Sequence, residues 1–254
     1  LDVLNALEPT MILGGPDTSA ADLLLQAQVL GGGVSAPKQA QQQHDDNSSL
    51  RPGSHTDAVM TLSWNTIHKQ VLASGSADTL VKLWDVTTAV NASTFSHHQD
   101  KVSCIAWNPA EGTLLATGSF DRTAAIVDAR SGSAKILKQL PGDCEALAWD
   151  PHQTANLTIL SEDGTVTTFD VRNFKTPLWT HVVNEYGGVT DVCYNPHVAG
   201  LLVTTSIDKT VSIWDIASSS PFKCAQKDMC VGKLFTSQFH PSSPWLLGCG
   251  GSQV

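Results

Sequence analysis

The chain has 254 residues, 41% of them hydrophobic and 15% charged, which suits a folded globular protein of one or two domains and excludes a disordered one. Its 15 Lys and Arg against 24 Asp and Glu give a net charge of −9, which argues against a domain that binds nucleic acid through clustered basic residues. No stretch reaches the ~20 apolar residues of a membrane helix and no signal peptide opens the chain, and six cysteines without a CxxC pair point to a reducing compartment.

In chain order, residues 1–14 read as the outer strand of a preceding repeat, with Glu8 to Leu13 as its extended part. Residues 15–54 read as a low-complexity insertion that holds Gly31-Gly32-Gly33 and the run Gln39 to Gln43. Within it, Ala20 to Val29 is composed of good helix formers; the insertion is expected to be mostly disordered, and the alternative is a docking segment whose Leu23, Leu24 and Leu25 face a partner groove. A repeat then takes over. Trp64-Asn65, Trp107-Asn108, Trp149-Asp150, Tyr194-Asn195 and Phe239-His240 follow one another at offsets of 43, 42, 45 and 45 residues. Twenty residues after each of the first four lies a second marker: Trp84-Asp85, Val127-Asp128, Phe169-Asp170 and Trp214-Asp215. Asp78, Asp121, Asp163 and Asp208 always stand six residues before that second marker.

The first repeat predicts strands over Val59 to Trp64, Val71 to Ser76, Leu80 to Trp84 and Asn91 to Phe95, with a tight turn at Ala77-Asp78. Leu114-Leu115-Ala116 and Leu201-Leu202-Val203 are apolar without alternation, so these strands are covered on both faces. Four-stranded units at a period of 40–45 residues describe an all-β propeller of the WD40 type. The units run 55–97, 98–140, 141–184 and 185–229, and 230–254 forms a truncated half blade in which Gln253 takes the turn-Asp place. The expectation is a propeller fragment with four full four-stranded blades and partial blades at both ends, since WD40 rings typically hold about seven blades.

The side chains repeat the markers of WD40 blades: an opening His, a small hydroxyl residue, a turn Asp and a buried Trp. In the first repeat these are His55, Ser74 (or Ser76), Asp78 and Trp84. In such blades they form a hydrogen-bonded relay that satisfies a buried indole and a buried carboxylate together. His98 and Asp121 stand with Val127 in the second repeat, and Asp163 with Leu140 and Phe169 in the third. Asp208 and Trp214 stand with Glu185 in the fourth. The role of this set is structural. The residue before each turn Asp belongs to the narrow rim, where many WD40 proteins bind partners. Phe120, Glu162 and Ile207 there, with Arg122 and Lys209 after the Asp, are the candidate partner-binding residues, and Phe120 and Ile207 are expected to be exposed apolar anchors.

No G-x-S-x-G elbow, phosphate-cradling glycine loop or HExxH occurs, and His97-His98 lacks Cys or His partners at metal spacing. The expectation is therefore a protein without catalysis, cofactor or metal. Ser54 to Asn65, Leu72 to Asp78 and Val81 to Asp85 resemble a central blade of the periodic tryptophan protein 1 family. So do Glu8-Pro9 followed by Leu13-Gly14-Gly15, and Ser212 to Ile216 with Lys227-Asp228-Met229. That resemblance implies a nuclear, nucleolar scaffold among ribosome assembly proteins on the precursor of the large ribosomal subunit. Histones and chromatin, linked to ribosomal-RNA transcription, are the alternative partners. The insertion is often lysine-rich in this family, whereas here Lys38 is its single basic residue before Arg51, so direct RNA contact is expected to be weak or absent. No membrane and no small-molecule substrate is expected.

Overall fold

A computed structural model describes residues 13–14, 50–131, 133–173, 175–184, 188–218 and 220–252. The expected helix at Ala20 to Val29, and all but the end of the strand from Glu8, lie outside them, as do Glu185 and Gln253.

The described residues form five antiparallel sheets in chain order. The first holds β1 (Val59–Trp64), β2 (Val71–Ser76), β3 (Val81–Asp85) and β4 (Val90–Phe95), and the second holds β5 (Val102–Trp107), β6 (Leu114–Ser119), β7 (Thr123–Asp128) and β8 (Ser133–Gln139). The third holds β9 (Cys144–Trp149), β10 (Asn156–Ser161), β11 (Thr165–Asp170) and β12 (Trp179–Val182). The fourth holds β13 (Val189–Tyr194), β14 (Leu201–Ser206), β15 (Thr210–Asp215) and β16 (Phe222–Asp228), and β17 (Leu234–Phe239) with β18 (Leu247–Gly251) makes a two-stranded sheet. These repeated four-stranded units are the blades expected of a propeller, and the strands expected in the first repeat lie within a residue of those observed.

The first strands of successive sheets, β1, β5, β9, β13 and β17, stand side by side as the innermost layer. Each carries a register shift near its start. Because the second strand of each four-stranded sheet is buried on both faces, the core lies between blades and not within one. One cluster joins Ala73, Val81, Leu83 and Phe95 of the first blade to Val102, Ile105, Trp107, Leu115 and Val127 of the second. Equivalent clusters join the second blade to the third, the third to the fourth, and the fourth to the two-stranded sheet.

The recurrent aromatic-Asn marker stitches neighbouring blades. Trp107 Nε1 donates to Ser63 O at 3.1 Å and Trp149 Nε1 to Ala106 O at 2.9 Å, each in the preceding blade. The asparagines reach forward: the Nδ2 of Asn65, Asn108 and Asn195 donates to Gly112 O, Thr154 O and Pro244 O at 2.7, 2.7 and 2.9 Å. The Oδ1 of each caps its own loop by accepting backbone amides two and three residues on. Asp150 has no amide to donate, and there His152 Nε2 meets Asn195 O at 3.1 Å instead. Trp64 has no preceding blade among the described residues; its indole turns to Lys69 O and it is 53% exposed, against 7% for Trp107.

Candidate functional site

The turn between the second and third strands of each blade builds the rim. Its Asp makes an Asx turn: Oδ1 of Asp78, Asp121, Asp163 and Asp208 accepts the amide of Leu80, Thr123, Thr165 and Thr210 at 2.9–3.0 Å. The next residue is left-handed, with φ of 70° at Thr79, 63° at Arg122, 81° at Gly164 and 75° at Lys209. Three of these four are not glycine, so the carboxylate bond and the flanking strands hold a conformation that a side chain disfavours.

Behind the turn, the relay differs from blade to blade. In the first, Trp84 Nε1 donates to Ser74 Oγ at 2.8 Å. The Ser74 hydroxyl then donates to His55 Nε2 at 2.7 Å, and His55 Nδ1 donates to Asp78 Oδ2 at 2.8 Å. The Thr56 amide meets the same oxygen at 2.9 Å. Burial pulls the Asp78 carboxyl up, but the bonds from Thr56, His55 and Leu80 outweigh it and hold it below its ordinary value.

In the second blade His98 Nδ1 faces Asp121 Oδ2 at 3.1 Å and His98 Nε2 faces Thr117 Oγ1 at 2.9 Å. Val127 cannot supply the indole bond. His97 supplies it instead: its Nε2 meets Thr117 Oγ1 at 3.0 Å, and its ring lies 4.3 Å from that of His98. Thr117 has one proton to give, which goes to His98, so His97 donates through Nε2 and keeps a bare Nδ1. That Nδ1 is buried without a hydrogen-bond partner. Burial, and then the neighbouring His98, push the His97 imidazole down to about 4, against a smaller upward pull from Asp121.

The third blade has no relay. Leu140, Ile159 and Phe169 occupy the His, hydroxyl and Trp places, all buried in one apolar cluster. Asp163 is left to hold its own turn, accepting Thr165 Oγ1 at 2.9 Å. In the fourth, Trp214 Nε1 donates to Thr204 Oγ1 at 3.0 Å, and Asp208 accepts the Thr210 hydroxyl at 2.6 Å and Asn184 Nδ2 at 3.4 Å.

The residue before each turn Asp is pinned to the start of the innermost strand. The amides of Ala77, Phe120, Glu162 and Ile207 donate to the carbonyls of Ala58, Lys101, Asp143 and Gly188 at 2.8–3.0 Å. The candidate residues therefore share one rim. Glu162, Arg122 and Lys209 are exposed, and Ile207 is 40% exposed. Phe120 is half-buried and departs from the expected exposed anchor, although its amide makes the same bond as that of the exposed Ile207. Arg122 Nε lies 3.4 Å from Asp143 Oδ1 of the next blade. Asp143 and Glu162 flank Glu145, whose carboxyl is pushed above its ordinary value by burial and then by those two like charges. No sequence signal marks this acidic cluster, because Asp143 and Glu145, at the start of β9, meet Glu162, in the turn after β10, only when the sheet forms. Among the described residues no group of His, Cys, Asp and Glu has the arrangement of a metal site, and no helix is long and apolar enough to cross a membrane.

The WD domain, G-beta repeat family matches residues 48–85, 90–128 and 176–215. The gap between the second and third matches falls on the blade that lacks the relay. The chain is 38% identical over 239 residues to an uncharacterized WD repeat-containing protein of Schizosaccharomyces pombe, covering 93% of this chain and 46% of that protein. It is 30% identical over 259 residues to Periodic tryptophan protein 1 of Saccharomyces cerevisiae, with 95% and 42% covered. It is 27% identical over 257 residues to the Periodic tryptophan protein 1 homolog of Drosophila melanogaster, with 100% and 50% covered. The chain thus spans about half the length of these curated relatives.

Proposed function

Because the chain belongs to the periodic tryptophan protein 1 family of WD-repeat proteins, we propose that it is a non-catalytic platform for assembly of the large ribosomal subunit in the nucleolus. The observation that carries this reading is the alignment with two proteins of that name over nearly the whole chain. The rim supports it. Glu162, Glu145 and Asp143 gather negative charge, Arg122 of the Phe120 turn lies against Asp143, and Ile207 and Lys209 stand on the next-but-one turn. Such a surface suits basic protein segments, with the charge speeding encounter and the apolar groups giving contact area. The net charge of −9 makes protein-mediated recruitment the expected route to the precursor particle, in place of direct RNA binding.

Gradient sedimentation of the tagged full-length protein from cell lysate, with and without ribonuclease, tests the reading. Comigration with large-subunit precursors, lost to light fractions after ribonuclease, is the expected result. Migration with chromatin, or in light fractions alone, would overturn it and favour a histone-binding adaptor on the same acidic rim. Micromolar or tighter affinity of the purified protein for ribosomal RNA at physiological salt would contradict protein-mediated recruitment.

A further inference from the structure

We propose that Cys104 and Cys144 form an oxidative modification site, a thiol pair that a hydroperoxide converts into a disulfide joining the second blade to the third. The two residues sit on adjacent innermost strands, β5 and β9, and their sulfurs lie 3.6 Å apart. Neither is in a disulfide. Gly118 on β6, opposite Cys104, makes room for the pair, since a Cβ there would run into both sulfurs.

The same corner recurs at the first blade boundary, where the empty side of Gly75 is filled by Thr61 and by Val102 of the next blade. The fold therefore brings the third residue of one innermost strand against the first residue of the next, and at this boundary alone among the described residues both are cysteine. The Ser103 hydroxyl donates to the Cys144 carbonyl and holds the two strands together at this point.

The accessible partner reacts first. Cys104 is half-buried and Cys144 fully so. The hydrogen bond with Cys104, and burial, keep the Cys144 thiol protonated. The Cys104 sulfur attacks a peroxide oxygen; an S–O bond forms, the O–O bond breaks, and one water leaves. The Cys144 sulfur then attacks the sulfenic sulfur; the S–S bond forms, the S–O bond breaks, and the second water carries away the remaining oxygen. Two thiols lose two electrons and two protons, and hydrogen peroxide is reduced to two waters.

The test treats the folded full-length protein with hydrogen peroxide, alkylates free thiols, and digests with trypsin. Cleavage after Lys101, Arg122, Lys138 and Arg172 places the two cysteines in separate peptides, 102–122 and 139–172. The expected product is these two peptides linked, two hydrogens lighter than their sum and separated by dithiothreitol. It is lost in Cys104→Ser and in Cys144→Ser, and the linked protein melts several degrees higher than the reduced one. Recovery of both cysteines in alkylated form, as sulfinic or sulfonic acids, or linked to other cysteines would overturn the proposal.

Discussion

The first and third blades have the same four-stranded antiparallel order and the same turn Asp, yet solve the space behind the turn in opposite ways. The first runs a chain of hydrogen bonds from the Trp84 indole through Ser74 and His55 to Asp78. The third fills that column with Phe169, Ile159 and Leu140. Every buried donor in the first column has a partner, and the third column has no buried donor to satisfy. Both arrangements avoid the cost of an unpaired polar group. A half-converted column would not, and the second blade shows a partial repair: Val127 removes the indole, and His97 brings a ring and an N–H from a neighbouring position while its own Nδ1 stays buried and unpartnered.

This comparison is open to mutation. The largest effect is expected from removing either large ring: Phe169→Ala and Trp84→Ala each destabilise by about 3–5 kcal/mol, measured by denaturant unfolding. Phe169→Trp should also destabilise, by about 1–3 kcal/mol, because its new N–H finds Ile159 where the first blade has Ser74; pairing it with Ile159→Ser should recover part of that loss. A double variant as stable as the parent would show that the indole-to-serine bond is all that separates the two columns.

The turn carboxylates sharpen the contrast. Asp78→Ala leaves His55 and the Thr56 amide without their acceptor and should cost about 2 kcal/mol, while Asp163→Ala, which loses only bonds to Thr165, should cost about 1 kcal/mol. Equal losses would mean that the relay adds nothing beyond the Asx turn.

The second blade adds a pH signature. His97 is pushed down to about 4 in the folded chain, against an ordinary value of 6.5. The unfolded chain therefore takes the proton first, so stability is full above about 6.5 and falls as pH drops from there toward 4. The lowered carboxyls of Asp78 and Asp121 act in a separate, lower window, where stability is lost as they protonate below their ordinary 3.8. His98 is lowered by burial as well and acts in the same window, so His97→Phe should shrink the upper window without abolishing it and leave the lower one, read from unfolding midpoints between pH 7 and 3. The smallest effect belongs to the single-bond stitch between blades: His152→Ala, which frees Asn195 O, should cost about 0.5–1 kcal/mol.

The strand pattern was legible because apolar residues, turn residues and the fixed spacing of three markers repeat in register, and each acts locally. The relay members of the first blade were legible for the same reason. The rim was legible as a position, since it adjoins the turn Asp, but its exposure was not. Phe120 and Ile207 occupy equivalent places, and only the surrounding sheet leaves one half-buried and the other exposed. His97 carried no sequence signal beyond adjacency to His98. Its role depends on the absence of an indole at Val127, 30 residues away and on another strand.

By itself the sequence determined that this chain makes antiparallel four-stranded blades, where each turn falls, and which aromatic and Asp residues recur. Those properties depend on neighbours a few residues apart. Only the tertiary structure decided which carbonyl each asparagine reaches, that His97 replaces a tryptophan, that Asp143, Glu145 and Glu162 crowd together, and that Cys104 meets Cys144. These pairings join residues across a turn or across a blade boundary, and no local periodicity encodes a distance that exists only when two sheets pack.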